Sequence, residues 1–476
     1  MSEYIKTDLI DADEQLMVTE IDAVAEAEEA IELIKNKSYQ QLRSRMEGLV
    51  PPELADIINR LPYRASNIFF RLLPKQAAAE VFALLDGDKC RELISVFTDS
   101  ELSGLLSELY ADDAVDIIEE MPAAVVKRIL NNSSLENRDE INHLLRYPKD
   151  SAGTIMTTEY VRLQPEMTVT EALLHIRHVA IDKETIYTCF VTDAEKRLIG
   201  IVTAKKLLIS EPEEKISAIM QERVISAMTD DDKEQVAGKL EKYGFLSLPV
   251  VDREMRLVGI VTVDDAIDVI KEETEEDISK MAAIIPTDEP YLSESVPRAF
   301  LARIPWLLFL MISATLSSTI LSFFEGRLIP VLTIFIPMLM ATGGNSGSQS
   351  SVTIVRALGA GKVAGSDLPR ILLKELRVGV LCGVVLGTVA FGKVMLLDKL
   401  IMRNSSITLW VAFCVSVTLA ITVLAAKLIG CILPILAKRL NLDPAVMASP
   451  LITTLVDAIA LLLYFFISAN AFGLVV

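Results

Sequence analysis

A single acidic residue lies deep in the last apolar stretch of the sequence. The stretch reads NLDPAVMASPLITTLVDAIALLLYFFISA over residues 441–469, and from Pro444 onward it is long enough to cross a bilayer as a helix. A carboxylate at the depth of Asp457 costs about 2.5–3.5 kcal/mol on insertion scales, so it should face water, a cation or a partner rather than lipid. It therefore indicates either a cation site in a pore or a structural aspartate that is hydrogen-bonded to a neighbouring helix.

A glycine-rich polar segment lies inside another apolar stretch. It reads PMLMATGGNSGSQSS over residues 337–351. Such backbone is tolerated at membrane depth only inside protein or beside water. We therefore predict that this span is interrupted and that its glycines expose backbone carbonyls to an ion. Close packing of small residues between helices is the alternative.

The C-terminal part of the chain predicts a five-helix α transmembrane domain over residues 298–476. The spans are expected at about residues 303–324, 328–356, 369–396, 407–437 and 445–476. Counted together with the adjoining span ends, the links after the second and fourth spans (356–377 and 438–439) hold seven Lys and Arg residues, and those after the first and third (327 and 393–403) hold four. The positive-inside rule then predicts a multi-pass protein of the plasma membrane, with its N-terminal half in the cytoplasm and its C-terminus outside.

Charge separates the two halves of the chain. Residues 1–296 carry a formal charge of −27, and residues 297–476 carry +8. The acidic half should repel nucleic acid and anionic lipid and attract divalent cations. The five cysteines are scattered without a CxxC pair, which argues against a zinc site or a disulfide framework. No phosphate-binding GxxxxGK[ST] motif occurs, and the membrane half has no histidine, so we do not expect an enzyme.

Two further regions precede the repeat described next. Residues 1–24 predict a flexible acidic tail. Apolar residues at helical spacing over residues 25–150 predict an all-α domain of short stacked helices, in which LADIINRLP at 54–62 recurs loosely as AVDIIEEMP at 114–122. Arrays of this kind usually serve as scaffolds or docking surfaces.

An internal repeat occupies residues 151–271. Both units contain an Ile-Met pair, a helix and a β-branched strand, and the strands read LIGIVT at 198–203 and LVGIVT at 257–262. The alternation of strands and helices predicts α/β units. The paired strand endings resemble a tandem pair of CBS domains.

The CBS resemblance implies a cleft for an adenosine nucleotide such as ATP. In that pattern a Thr and an Asp three residues later hold the ribose, and Thr262 and Asp265 keep this spacing in the second repeat. The first repeat has Thr203 and Lys206 instead. ATP binding is therefore expected to be weak at best and to involve the second repeat.

An acidic segment joins the repeat to the membrane domain. It reads VDDAIDVIKEETEEDISKMAAIIP over residues 263–286, and we assign residues 272–297 to an acidic connecting helix. A run of charges usually marks a solvated helix. Here the run joins a ligand-sensing module to a membrane domain, which favours a mechanical connector.

This order of parts resembles the MgtE family of magnesium channels from about residue 25 onward. The segments GGNSGSQS and NLDPAVMASPLITTLVD carry the most specific part of the resemblance. The family pattern implies a homodimer with its pore between two membrane domains. It also implies that Asp457 is the pore carboxylate, facing its counterpart across the dimer axis, and that Asn345 lies beside the pore.

The same resemblance implies regulatory metal ligands outside the pore. They fall in the helical domain, the second CBS repeat, the connecting helix and the mouth of span five: Glu80, Asp112, Asp116, Asp232, Glu234, Asp265, Asp268, Glu273, Glu276, Asp277 and Asp443. Gly244 stands where the family can carry an aspartate, so one ligand can be missing.

These observations predict a Mg2+-selective channel for magnesium uptake, with Mg2+ as both the transported and the regulatory ion. Mg2+ prefers octahedral oxygen ligands and keeps several waters, which suits one carboxylate per subunit and nearby carbonyls. The alternative is a membrane receptor that senses nucleotide through its CBS pair without transport. That protein would not need Asp457 or an interrupted second span.

Overall fold

The structure is a computed structural model. It describes residues 21–119, 121–287, 291, 294–324, 329–359, 361, 363, 365–447 and 449–473, so most of the predicted tail lies outside the described residues. The chain divides into two compact units that meet between Ile270 and Lys271. Each unit is described by itself.

Short α-helices form the start of the first unit. In the described residues they are α1 (Ala23–Lys35), α2 (Tyr39–Met46), α3 (Pro51–Arg60), α4 (Tyr63–Arg71), α5 (Lys75–Ala83), α6 (Gly87–Val96), α7 (Asp99–Leu106), α8 (Ala111–Glu119), α9 (Ala123–Asn132) and α10 (Leu135–Leu144).

Local sequence explains where these helices begin. Pro51 is the first residue of α3. Proline suits this position because the N–H that it lacks would have no hydrogen-bond partner within the first turn. Thr98 precedes α7, where its hydroxyl accepts a hydrogen bond from the Glu101 N–H and the Glu101 carboxylate accepts one from the Thr98 N–H. The predicted all-α domain is confirmed.

One hydrophobic core runs through the array and into the second CBS repeat. On α3, Leu54, Ile57 and Ile58 are buried at helical spacing. The same cluster of buried side chains includes Val236 and Leu248 of the second repeat. The helical array and the second repeat are therefore packed as one body.

The two repeats have the same topology. The first contains β1 (Tyr160–Leu163), α11 (Val169–Val179), β2 (Thr185–Thr192), β3 (Leu198–Thr203), α12 (Ala204–Ile209) and α13 (Ile216–Ile219). The second contains β4 (Ala227–Met228), α14 (Lys233–Tyr243), β5 (Ser247–Val251) and β6 (Leu257–Thr262). In each, the first strand pairs parallel to the second and the second pairs antiparallel to the third, which confirms the α/β repeat.

The acidic connecting helix is α15 (Val263–Met281), which crosses the boundary between the two units. It begins directly after β6 and ends well before residue 297. Ala283, just beyond its end, has a positive φ of 56°. The helix is thus continuous with the end of β6, and the assignment of residues 272–297 to a connecting segment stays a prediction.

The second unit contains five long helices among the described residues. They are α16 (Val296–Phe324), α18 (Ile336–Gly359), α19 (Leu368–Lys393), α20 (Leu409–Arg439) and α21 (Ser449–Phe472). A short helix, α17 (Pro330–Thr333), precedes α18, a π-helix (Val394–Ile401) follows α19, and short 3-10 turns (Gly365–Asp367 and Ala445–Met447) precede α19 and α21.

Four segments of the described residues are long and apolar enough to cross a membrane: Val296–Phe324, Gly365–Ile401, Leu409–Arg439 and Ala445–Phe472. Helix α18 is not among them, although it has 24 residues, since its middle is the polar glycine-rich segment. The count of five spans stays a prediction.

The predicted interruption of the second span is wrong for the helix itself. Residues Ile336–Gly359 form one continuous α-helix through the glycine-rich segment. The break lies before it, between α17 and α18. The glycines are tolerated because their hydrogen bonds stay within the helix while their missing side chains let neighbouring helices approach, as the packing alternative requires.

Candidate functional site

Asp457 lies on α21 at the point where this helix packs against α18. Its side chain is half-buried in the single chain. A Cβ atom placed on Gly344 of α18 would lie 3.7 Å from Asp457 Oδ1 and 3.1 Å from Thr453 Cγ2, one turn earlier on α21. The structure thus places the predicted carboxylate directly beside the predicted glycine segment.

The glycines of α18 set how closely the helices approach. A Cβ atom on Gly343 would lie 2.8 Å from Thr422 Cγ2 of α20, and one on Gly347 would lie 2.9 Å from Ile452 Cγ2 of α21. A Cβ on Gly430 of α20 would lie only 2.2 Å from the Gly347 carbonyl oxygen. Larger residues would push α18 away from both partners, and Asp457 would lose its place against the helix.

Asn345 is exposed in the single chain, although it follows Gly343 and Gly344, which are buried. It therefore lies on another face of α18 from those that contact α20. Its amide oxygen and the Asp457 carboxylate are both oxygen ligands of the kind that Mg2+ prefers.

A second group of charges joins α15 to the loop before α21. Lys280 Nζ lies 2.6 Å from Glu276 Oε1 and 2.8 Å from Asp443 Oδ2. The other Asp443 oxygen, Oδ1, accepts a hydrogen bond of 2.8 Å from the Ala445 N–H, which fixes the carboxylate at the start of the turn. Three of the predicted ligands, Glu276, Asp277 and Asp443, are brought together here around a lysine.

The charges around Lys280, which lie at the mouth of the predicted fifth span, shift one another's pKa values. Burial lowers the pKa of the Lys280 ammonium, but its hydrogen bonds to Asp443 and Glu276 outweigh burial and raise the pKa overall. Burial raises the pKa of Asp277, and repulsion from Asp443 raises it further. The carboxylates therefore favour a cation between them, and Lys280 supplies one.

A third group of carboxylates joins the helical array to both CBS repeats. Asp113 on α8 faces Asp264 and Asp265 at the start of α15, together with Glu159 and Glu184 of the first repeat. Glu159 Oε2 accepts hydrogen bonds from the hydroxyls of Thr157, at 2.7 Å, and Thr158, at 3.1 Å.

Repulsion within this acidic cluster shifts its titration. Burial raises the pKa of Asp113 to about 6, with further contributions from Asp265, Asp264 and Glu159. Burial and the charges of Asp264 and Asp265 raise the pKa of Glu184 to about 7. Near neutral pH, the carboxylates of the cluster thus repel one another when they ionise, and a bound cation would reduce that repulsion.

In the second repeat, the two residues with the ribose-binding spacing are hydrogen-bonded to each other. The Thr262 hydroxyl donates to Asp265, whose pKa is raised by burial while the Thr262 hydrogen bond lowers it. In the first repeat the Lys206 N–H donates to the Thr203 hydroxyl as an ordinary helix cap. The Asp265 carboxylate is therefore shared between Thr262 and the acidic cluster.

The other predicted ligands are dispersed. Glu80, Asp232, Glu234 and Asp268 are exposed and Glu273 is half-buried. Asp232 Oδ1 accepts from the N–H groups of Glu234 and Gln235 as the N-cap of α14. The side chains of Asp112 and Asp116 lie outside the described residues. Gly244 has a left-handed φ of 65° at the end of α14, a conformation that favours glycine over aspartate.

No three carboxylate, histidine or cysteine side chains converge as ligands of one ion in the part of the chain that the structure describes. The carboxylates around Lys280 nevertheless suit a cation, because its ammonium is a positive charge already held between two of them. Glu276, Asp277 and Asp443 would hold a divalent ion there through its waters.

Sequence reasoning missed four carboxylates and the lysine. Asp113 and Asp264 are neighbours of predicted residues, but the direction of a helical side chain cannot be read from the pair alone. Glu159 and Glu184 lie in the first repeat outside any motif. Lys280 is four residues after Glu276, a spacing that indicates an ion pair on a helix.

Three family profiles match the chain. The profile described as a divalent cation transporter, MgtE, matches residues 336–467, and that of the MgtE intracellular N domain matches residues 49–150. The CBS domain profile matches residues 152–211 and 216–272. The chain belongs to the MgtE family.

Two members of the family align along nearly the whole chain. The magnesium transporter MgtE of Thermus thermophilus is 37% identical over 439 residues, which cover 91% of this chain and 95% of that protein. The magnesium transporter MgtE of Bacillus subtilis is 31% identical over 446 residues, covering 92% and 96%. With its four apolar helices among the described residues, the chain is a multi-pass membrane protein.

Two solved structures match about half of the chain. The soluble part of a magnesium transporter is 31% identical, with a TM-score of 0.50, over 53% of this chain and 99% of that one. The cytosolic domain of the Mg2+ channel MgtE, solved in complex with ATP, is 36% identical, with a TM-score of 0.49, over 51% and 99%.

Proposed function

We propose that this protein is a homodimeric Mg2+ channel for magnesium uptake, with its pore at Asp457. The observation that carries the proposal is the half-buried Asp457 carboxylate packed on the glycine face of α18, in a chain that belongs to a family of magnesium transporters. In a homodimer, two such carboxylates would meet across the axis. They would attract a divalent ion that keeps most of its waters.

The driving force in this proposal is the electrochemical gradient. A divalent ion that crosses a potential of 100 mV gains about 4.6 kcal/mol, from about 2.3 kcal/mol per charge. The first unit is proposed to lie in the cytoplasm and the C-terminus outside, in line with the excess of Lys and Arg in the links after the second and fourth spans and the adjoining span ends.

The second part of the proposal is that cytosolic Mg2+ closes the channel. Without divalent ions, the repelling carboxylates of the acidic cluster loosen the contact between the helical array and the CBS repeats. Mg2+ bound at the cluster and at the mouth offsets this repulsion and holds α15 against the loop before α21. A ligand shifts such an equilibrium only by its difference in affinity for the two states, so several weak sites acting together would switch near millimolar Mg2+.

ATP is proposed, at most, as a weak ligand of the second repeat. Thr262 and Asp265 keep the ribose-binding spacing, but Asp265 is already bonded to Thr262 and faces other carboxylates. A polyphosphate would add negative charge beside an acidic cluster, which disfavours tight binding.

Uptake by purified protein in liposomes tests the proposed transport. A Mg2+-sensitive dye inside the vesicles should report influx that grows with an inside-negative potassium diffusion potential. Protein-free vesicles give the background. Influx no faster than this background, from protein that is folded and inserted, would contradict transport and favour the nucleotide-sensing receptor.

A further inference from the structure

A buried lysine lies in the middle of α20, and the proposed transport does not use it. Lys427 is 5% exposed and lies twelve residues before the end of a helix that is apolar enough to cross a membrane. A charged side chain at such depth is costly unless it has a partner, so it indicates a specific role.

The lysine is linked to a carboxylate through a serine. Lys427 Nζ donates to Ser350 Oγ on α18 at 3.4 Å. The Ser350 hydroxyl in turn donates to Glu375 Oε2 on α19 at 2.8 Å. Ser350 is 3% exposed, so this chain of hydrogen bonds connects α20, α18 and α19 inside the protein.

The surrounding residues leave room for this link. A Cβ atom on Gly379 of α19 would lie 3.7 Å from Lys427 Cδ and 2.8 Å from Leu424 Cδ1. Glycine at this position lets α19 lie close to the lysine stem, so that Glu375, one turn earlier on the same helix, reaches Ser350.

The link fixes the helix that contacts the proposed pore carboxylate. Ser350 is six residues after Gly344, which packs beside Asp457, and Gly347 between them packs against α20 and α21. A slip of α18 by one turn, about 5.4 Å, would carry Gly344 away from Asp457 and Ser350 away from both charges.

We propose that Lys427 is a positioning residue, which, through Ser350 and Glu375, holds α18 in the register that places Gly344 against Asp457. This inference rests on the proposed function for its effect on transport, while the link itself concerns only the packing of α18, α19 and α20. Removal of Glu375 leaves the buried Lys427 charge without its carboxylate, removal of Lys427 leaves the half-buried Glu375 without its cation, and removal of both leaves neither unpaired.

The test compares Lys427→Met, Glu375→Gln and the double variant in the full-length protein. Each single variant should unfold at a lower temperature in detergent, and the double variant should recover most of the loss. In liposomes, each single variant should raise the half-saturating external Mg2+ concentration severalfold, and the double variant should bring it back toward the parent value. Lys374→Met, which removes an exposed lysine next to Glu375, is the control.

Two results would overturn the proposal. One is a double variant no better than the worse single variant in thermal unfolding, since the two charges would then not be coupled. The other is a Lys427→Met protein in which the maximal rate of Mg2+ influx changes and the half-saturating Mg2+ concentration does not. A residue that only stabilises the fold would alter the amount of active channel and not its affinity for Mg2+. If Lys427→Met does not fold, Ser350→Ala, which removes only the bridging hydroxyl, should give the same shift in half-saturation, and an unchanged value would reject the link.

Thermal unfolding separates this proposal from the proposed transport. A parent protein that carries no Mg2+, yet shows recovery in the double variant, would reject transport and keep the coupled link. A parent that transports, without recovery in the double variant, would reject the link and keep transport.

Discussion

Single charges at the two proposed regulatory Mg2+ sites, the acidic cluster and the mouth, can be changed without altering the proposed pore. Lys280 is the cation that the mouth already holds, with its ammonium between Glu276 and Asp443. Glu184 is the opposite case, a carboxylate surrounded by other carboxylates. The Lys280 ammonium should compete with Mg2+ for the carboxylates at the mouth. Bound Mg2+ should reduce the repulsion between Glu184 and its neighbouring carboxylates.

The variant Lys280→Met is expected to make the channel more sensitive to cytosolic Mg2+. It removes the competing ammonium and leaves the carboxylates in place. In inside-out patches, the Mg2+ concentration that halves the current should fall severalfold. Lys271→Met, on an exposed part of the same helix, should leave it unchanged. A higher concentration for Lys280→Met would mean that the lysine supports the closed contact rather than competing with the ion.

The variant Glu184→Gln is expected to stabilise the divalent-free protein at alkaline pH. Because its folded pKa, about 7, lies above the ordinary 4.5, the folded protein binds more protons between these values, and the free energy of unfolding falls as pH rises through this window. At pH 8 with EDTA, the variant should gain about 1–2 kcal/mol after allowance for partial exposure.

Thermal unfolding of the full-length protein in detergent measures this effect. The gain should shrink to nothing below about pH 4.5, where the carboxyl is protonated in both states. Glu195→Gln, at an exposed position of the same repeat, is the matched control. A gain that does not depend on pH would assign the effect to something other than the charge of Glu184.

At the scale of elements, the sequence predicts the type and order of the helices and strands better than it predicts where each helix ends and which helix faces pack together. The repeat was readable because LIGIVT and LVGIVT are nearly the same strand twice. The glycine-rich segment predicts a break but forms a continuous helix, because composition does not distinguish a helix whose glycines admit close neighbours from one that is unwound. Asp457 could be found from its apolar surroundings, whereas the cluster at Asp113 depends on contacts between distant parts of the first unit.

The variant Gly430→Ala tests the close approach of α18 and α20. A Cβ atom there would lie 2.2 Å from the Gly347 carbonyl oxygen, so the helices must separate. Overpacking of this kind costs about 1–3 kcal/mol. We expect a lower thermal midpoint and slower Mg2+ uptake per folded protein. Gly392→Ala, which meets no neighbouring atom within 4 Å, should be neutral. Equal behaviour of the two variants would contradict the packing.

At the scale of the whole molecule, the acidic half and the membrane half are proposed to be coupled through α15. Replacing Asp265, Asp268, Glu273, Glu276 and Asp277 together by neutral residues should leave a channel that conducts, because none of these residues lies in the proposed pore. It should abolish the protection of the first unit from protease by Mg2+ and weaken the inhibition of current by cytosolic Mg2+. A variant that closes at the same Mg2+ concentration as the parent would contradict the proposed gate.

The most direct test of the central claim is Mg2+ influx through Asp457→Asn in liposomes. This variant keeps the volume of the side chain and removes only its charge. Influx per folded dimer should fall by about tenfold or more, since the loss of about 1.4 kcal/mol of stabilisation already changes a rate tenfold. Asp457→Glu should retain part of the influx, and Asp367→Asn, a charge change elsewhere in the membrane half, should retain all of it. Parent-like influx through Asp457→Asn would place the ion path away from this carboxylate and contradict the proposed pore.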